Sequence, residues 1–149
     1  MEEKLSGTLA IDLGNTNTVI AFQDQENINS VLVEIPNITL SPGVIPTAVW
    51  FDGTASIPKI GTSALKMRDN LNSDLFFHSN FKRLIGNSIE KINQNNILNP
   101  NECGKKFFQI LWANIPHKYE IKRLVLTAPI DTYKGYREWL VNLCEEIPV

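Results

Sequence analysis

The chain has 149 residues, which is the size of one ordinary domain. Apolar residues make up 43% of it and charged residues 20%, so the chain can bury a core. The net charge of −2 lacks the basic excess typical of nucleic-acid-binding proteins, and no apolar run reaches the roughly 18–20 residues of a membrane helix. The first residues do not resemble a secretory signal. Composition therefore predicts a cytoplasmic globular protein that binds neither nucleic acid nor membranes.

Two runs of β-forming residues open the chain, and a short polar turn separates them. Residues 8–13 are mostly apolar, and residues 18–22 are apolar and β-branched. The turn Gly14–Asn17 contains residue types that favour tight turns, so the two runs are predicted to form a β-hairpin. A third predicted strand lies at Ser30–Ile35. The prolines and glycine within 36–46 predict a change of chain direction.

The middle of the chain is predicted to form a short strand pair followed by helical segments. Residues 47–51 are predicted to form a strand, and residues 57–60 its return strand. Helical structure is predicted at 61–70 and, in whole or in part, at 74–86. The asparagine-rich residues 87–99 suit either a helix or a loop.

The last third of the chain has the clearest helix and strand patterns. Residues 99–102 contain a capping residue (Asn99), a proline (Pro100) and an acid (Glu102), which together predict the start of a helix. Apolar residues at helical spacing follow. A strand is predicted at 122–128, and a second helix begins after a cap at Asp131 or Thr132. Strand hairpins followed by a helix–strand–helix unit predict an α/β fold with a mixed sheet.

The residues that close the first predicted strand have the composition of an anion-binding turn. Asp12 ends the strand, Gly14 lets the backbone approach an anion, and Asn15, Thr16 and Asn17 offer side-chain donors. A carboxylate beside phosphates requires a cation between them, so Asp12 is expected to face a hydrated Mg²⁺ ion. An ordinary hairpin turn has the same composition, and residues 12–17 alone leave both interpretations open.

A resemblance to a known family extends over nearly the whole chain. Ile11–Thr18 resembles the first phosphate-binding hairpin of the actin, hexokinase and heat-shock ATPase superfamily. Within that superfamily, four further segments resemble the 70-kDa heat-shock chaperones of the DnaK type, in the family's order. These segments are residues 44–51, 59–64, 81–86 (Phe-Lys-Arg-Leu-Ile-Gly) and 124–129.

The resemblance implies a fold and an activity. The fold is a ribonuclease H-like, actin-like ATPase lobe, with a mixed β-sheet flanked by helices. Its core sublobe would span residues 1–43 and 98–149, and a trimmed inserted sublobe would span residues 44–97. The protein is expected to bind ATP or ADP with Mg²⁺, with K⁺ as a further candidate ion. Its ATP hydrolysis would serve a chaperone cycle with client peptides and co-chaperones.

The same resemblance assigns roles to site residues. Asp12 would take part in catalysis by holding Mg²⁺ through water, and Gly14–Asn17 would contact the phosphates. Lys82 would be the catalytic lysine that orients the attacking water and offsets charge on the transferred phosphoryl group. The alternative for Lys82 is a solvated charge on a helix surface.

Two other functions stay open on the sequence. Asn15 stands where the chaperones usually have threonine, and the run Asp-x-Gly-Asn-Thr-Asn-Thr also resembles the opening of type III pantothenate kinases. The segment Lys82–Gly86 argues against that small-molecule kinase, because those kinases have no such segment. The third interpretation is a degenerate, non-catalytic ATPase lobe that acts as an interaction module.

The resemblance stops at Val149, before the family's second phosphate loop and adenosine-binding segment. We therefore expect a truncated lobe that does not hydrolyse ATP by itself. The strand at 124–128 is expected to form an exposed sheet edge, through which the chain would self-associate. His78 and His117 have no acid or cysteine at ligand spacing and are expected at the surface.

Overall fold

A computed structural model describes residues 3–54, 57–87, 98–129 and 134–148. Within these ranges the strands are β1 (Leu5–Asp12), β2 (Asn17–Asp24), β3 (Ser30–Leu32), β4 (Val44–Pro46), β5 (Ala48–Trp50), β6 (Lys59–Ile60), β7 (Phe77–Ser79) and β8 (Tyr119–Leu126). The helices are α1 (Gly61–Leu71), α2 (Pro100–Ala113) and α3 (Lys134–Glu145), with a short 3₁₀-helix at Lys82–Leu84. None of the helices in the described ranges has the length and apolarity needed to cross a bilayer.

The larger sheet combines antiparallel and parallel strands. Its order is β3–β2–β1–β8, and β4 also pairs with β2. The strands β1 and β2 form the predicted antiparallel hairpin, whereas β8 runs parallel to β1. Alternate side chains of the hairpin, such as Leu9 and Ile20, are fully buried, as the period-two pattern of a half-buried sheet requires. The predicted α/β class with a mixed sheet is confirmed.

The helix α2 begins where the sequence predicts. The Asn99 side chain accepts a hydrogen bond from the Glu102 backbone N–H at 2.8 Å, and the Glu102 carboxylate accepts one from the Asn99 N–H at 3.1 Å. This capping box satisfies two of the N–H groups that a helix start leaves unpaired. Phe107, Phe108 and Leu111 then project from α2 into the core that it shares with the larger sheet. The predicted cap of α3, at Asp131 or Thr132, lies outside the described residues.

A smaller sheet follows the first in the chain. Its order is β6–β5–β7, and Ala48, Trp50 and Ala64 form a separate small core between this sheet and α1. The predicted strand pair at 47–51 and 57–60 is confirmed by β5 and β6. The division into a core and an inserted sublobe stays a prediction, and the fold shows that β4 pairs within the larger sheet.

The helical prediction for residues 74–86 is wrong in its first half. Phe77–Ser79 pairs with β5 as strand β7, and Asn80 then turns the chain with a φ of 57°. Only the 3₁₀-helix fits between this turn and Gly86, which has a φ of 81°. Most of the ambiguous segment 87–99 lies outside the described residues.

The prediction that His78 lies at the surface is also wrong, whereas His117 is exposed as expected. His78 is 7% exposed, because β7 places it opposite Val49 of β5. Burial lowers the pKa of His78 below its ordinary value. Its Nε2 atom has no hydrogen-bond partner among the described residues.

The strand β8 lies at one end of the larger sheet. It spans residues 119–126, and β1 is its pairing partner among the described residues. Val125 of this strand is 38% exposed. Self-association through residues 124–128 stays a prediction.

Candidate functional site

The parallel pairing of β1 and β8 brings two polar residues to the same edge of the sheet. Asp12 is the last residue of β1, and Thr127 follows β8 directly. The Thr127 hydroxyl donates a hydrogen bond to Asp12 Oδ1 at 2.5 Å, and the Thr127 backbone N–H donates to the Ile11 carbonyl at 3.3 Å. The carboxylate is therefore oriented by a residue 115 positions later in the chain, while it remains exposed. Ligands of open α/β sheets bind beyond such carboxyl ends of strands.

The turn after β1, which we call the glycine turn (Gly14–Asn17), is tight. A Cβ atom at Gly14 would overlap the backbone carbonyl oxygen of Asn17, so no other residue fits without a shift of the backbone. The Thr16 carbonyl accepts a hydrogen bond from the Thr47 N–H at 2.8 Å. The Thr16 and Asn17 side chains are exposed. The sheet thus fixes the turn from both sides and leaves its tip accessible.

Asn15 connects the glycine turn to the segment that contains Lys82. Asn15 Nδ2 donates a hydrogen bond to Asn80 Oδ1 at 2.9 Å, and Asn80 lies two residues before Lys82. Asn15 Oδ1 is buried and has no partner among the described residues. The two predicted site segments are therefore in direct contact, although 65 positions separate the bonded residues.

Lys82 is held above α3. Its Nζ atom lies 5.9 Å from the centroid of the Tyr136 ring, within the range of a cation–π contact. The segment is anchored just after Lys82, where the backbones of Gly86 and Gly135 touch so closely that neither residue has room for a Cβ atom. The Gly86 N–H also donates a hydrogen bond to Asn101 Oδ1 of α2 at 2.9 Å. Lys82 is half-buried beside α3, and its segment is held at Gly86 by α2 and α3.

Tyr136 lies close to Lys82 and is affected by the charge of Asp12. Its side chain is 2% exposed, and its hydroxyl has no hydrogen-bond partner among the described residues. Burial and, secondly, the negative charge of Asp12 raise the pKa of Tyr136 to about 12. Lys82 therefore lies over the Tyr136 ring, and the charge of Asp12 acts on the same residue. No sequence motif singles out Tyr136, although its position three residues before Trp139 on a predicted helix is a sign of a core-facing residue.

The residues present suit a magnesium ion held mainly by water and phosphate. Mg²⁺ in such sites keeps several waters and takes one or two protein carboxylates. Asp12 offers one exposed carboxylate, whose Oδ1 atom is oriented by Thr127. No group of three or more histidine, cysteine, aspartate or glutamate side chains that could hold a metal occurs among the described residues. In the predicted site Asp12 is the residue that would hold Mg²⁺, through water.

A cavity of about 280 Å³ adjoins the glycine turn. Asn15, Thr16 and Asn17 form one wall, and Asn80 and Arg68 contribute to the others. The rest of its lining is mostly apolar, and neither Asp12 nor Lys82 lines it.

Comparisons with known proteins give no assignment: no protein-family model matches the chain, and no curated protein matches its sequence.

Proposed function

We propose that the chain is the phosphate-binding lobe of a ribonuclease H-like ATPase of the actin, hexokinase and heat-shock superfamily. It binds ATP or ADP with Mg²⁺, and the protein that contains it hydrolyses ATP. The observation that carries the proposal is the convergence of Asp12, the glycine turn and Lys82 at one end of the mixed sheet. Two contacts support that convergence: the Asn15–Asn80 hydrogen bond and the contact of Lys82 with Tyr136.

Each of these residues has a chemical task in the proposed function. The glycine turn presents backbone N–H groups to phosphate oxygens, since Gly14 lets the backbone come close. Asp12 holds the waters of a hydrated Mg²⁺ ion, which neutralises phosphate charge when it is bound. Lys82 offsets the charge that develops on the transferred phosphoryl group and orients the attacking water.

The identity of the segment around Lys82 favours an ATPase of the chaperone type over a small-molecule kinase. The run Phe81–Gly86 resembles the chaperones, and pantothenate kinases have no such segment. The fold gives this run a position that suits the role, because Asn80 is bonded to the glycine turn and Gly86 is packed on α3. Client peptides and co-chaperones follow from the resemblance alone, and a cytoplasmic location is the expectation from composition; all three belong to the proposal.

An NMR titration with Mg·ATP tests the proposal residue by residue. Saturable shifts are expected in the amide signals of Gly14, Asn15 and Lys82. At a ligand concentration ten times Kd, mass action stabilises the protein by about 1.4 kcal/mol, or about 4 °C in Tm for a chain of this size. Asp12→Asn is expected to weaken the Mg²⁺-dependent part of the binding. Asp24→Asn, at the end of β2 and at the opposite edge of the sheet, is the matched control.

Two results would overturn the proposal. The first is the absence of saturable shifts at the glycine turn and Lys82 with millimolar Mg·ATP. The second is an Asp12→Asn variant with the same affinity and the same Mg²⁺ dependence as the wild type.

A further inference from the structure

The cavity beside the glycine turn lies where the two sheets meet. One wall is the glycine turn of the larger sheet, and the others come from the smaller sheet, from α1 and from the chain before β5. Its volume of about 280 Å³ is just below the roughly 300–1,000 Å³ of pockets for drug-sized ligands, so the cavity suits a small molecule. The apolar part of its lining consists of Leu40, Pro46, Ala48, Leu65 and Phe77.

Arg68 is the one residue that carries a charge among the described residues lining this cavity. Its guanidinium carbon lies 4.8 Å from the centroid of the Phe77 ring, which belongs to the wall. Arg68 Nε donates a hydrogen bond to Asp69 Oδ1 at 3.1 Å, and this bond leaves both terminal nitrogens of the guanidinium available to a ligand. The Asp69 side chain is 67% exposed and lies outside the lining, so solvent screens its charge from the cavity. The cavity therefore combines apolar walls with an oriented positive charge.

This combination suits a ligand with a single negative charge and an apolar body. A guanidinium binds a carboxylate through two parallel N–H···O bonds, which the two terminal nitrogens of Arg68 can provide. A phosphate monoester carries nearly two negative charges, and the described lining supplies no second cation for it. An apolar body would also cover Leu40, which is otherwise 66% exposed.

We propose that this cavity binds a small monocarboxylate with an apolar chain or ring, whose carboxylate pairs with Arg68. The inference goes beyond the proposed nucleotide site, because neither Asp12 nor Lys82 lines the cavity. Thr16 and Asn17 belong to the cavity wall, so the glycine turn forms the boundary between the two sites.

The probes are acetate, butyrate and hexanoate, with hexanol as the uncharged control. NMR follows binding through the amide signals of Asn17, Arg68 and Ser79, which all line the cavity. Arg68→Met removes the charge and keeps a long unbranched side chain. Lys66→Met is the matched control, because it removes a positive charge from an exposed position of the same helix outside the cavity.

Hexanoate is expected to bind saturably, and affinity should rise roughly fourfold with each CH₂ group that enters the cavity. Arg68→Met should weaken hexanoate binding about tenfold or more, whereas Lys66→Met should change it less than about twofold. Hexanol should bind the wild type about as weakly as hexanoate binds Arg68→Met. The comparison of hexanoate with hexanol needs the wild type alone, so it tests the role of the charge even where Arg68→Met fails to fold.

Three results would overturn the inference. The first is the absence of saturable shifts at the cavity with millimolar hexanoate. The second is equal affinity for acetate and hexanoate, which would indicate a surface ion pair without apolar burial. The third is equal binding of hexanoate and hexanol by the wild type, or of hexanoate by the wild type and a folded Arg68→Met variant.

A titration with hexanoate in the presence of Mg·ATP separates the inference from the proposed function. Equal affinity for hexanoate with and without Mg·ATP is expected of a site of its own. Loss of hexanoate binding when Mg·ATP binds would show one shared site and would overturn the inference. Failure of Mg·ATP to bind, with hexanoate still bound through Arg68, would refute the proposed function and support the monocarboxylate site.

Discussion

The contact between Gly86 and Gly135 predicts a large effect of a single methyl group. Gly86 has a φ of 81°, and a Cβ atom there would overlap the Gly135 carbonyl carbon and lie 2.5 Å from the Tyr136 nitrogen. Because these neighbours are backbone atoms of α3, they cannot rotate out of the way. Gly86→Ala therefore adds a steric penalty to the ordinary penalty of a left-handed residue.

The two penalties have different sizes. A left-handed alanine costs about 1 kcal/mol, and overpacking against fixed atoms costs about 1–3 kcal/mol. Gly86→Ala should therefore lower the free energy of unfolding by about 2–4 kcal/mol. At about 3 °C per kcal/mol for 149 residues, its Tm should fall by about 6–12 °C. Gly53 has the same φ of 81° in an exposed turn, so Gly53→Ala should lower Tm by only about 3 °C.

Thermal and urea unfolding, monitored by circular dichroism, give the Tm and the free energy of unfolding of both variants. Since Gly86 also anchors the Lys82 segment on α3, Gly86→Ala should weaken Mg·ATP binding, whereas Gly53→Ala should not. Equal losses of Tm in the two variants would show that the Gly86–Gly135 contact contributes nothing to stability, and the account of how Lys82 is held would fail.

Three further predictions concern other parts of the fold. Below about pH 6.5 the unfolded state takes up a proton that the buried His78 side chain does not, so the free energy of unfolding should fall as the pH decreases. His78→Gln should reduce this pH dependence, measured by urea titration, more than His117→Gln does. Under the proposed function, Lys82→Ala should reduce the ATP turnover of the full-length protein about 100-fold or more with little change in nucleotide affinity; equal turnover would refute the role. Val125→Lys should abolish any concentration-dependent association seen by sedimentation velocity, because a charge on the β8 edge opposes strand pairing; association that persists would place the contact elsewhere.

The sequence predicts those parts of the fold that depend on neighbouring residues. The hairpin of β1 and β2 follows from alternation and a turn, and the start of α2 follows from Asn99 and Glu102. Both are fixed within a few residues, so their patterns are visible in the chain. The strand β7 is different. Its three residues become a strand because β5 offers them a partner, and nothing within the segment itself indicates this pairing.

The candidate site likewise has one part that the local sequence predicts and another that depends on the fold. The composition of the glycine turn is local, and it is sufficient to single out Asp12 and Gly14. The hydrogen bond from Thr127 to Asp12 depends on the parallel pairing of β8 with β1, which no local pattern encodes. Tyr136 contacts Lys82 because α3 packs against the Lys82 segment, so its helical spacing indicates a buried position but not this contact.

Asn15 shows how the fold changes the meaning of a sequence difference. The chaperones that the glycine turn resembles usually have threonine at the corresponding position, and an asparagine cannot take over a role that needs its hydroxyl. In this chain the Asn15 amide group donates to Asn80, and its buried Oδ1 is an acceptor that phosphate oxygens, themselves acceptors, cannot use. In the proposed site the turn would therefore hold phosphate through its backbone N–H groups and the exposed Thr16 side chain. Asn15 instead connects the glycine turn to the Lys82 segment, through its hydrogen bond to Asn80.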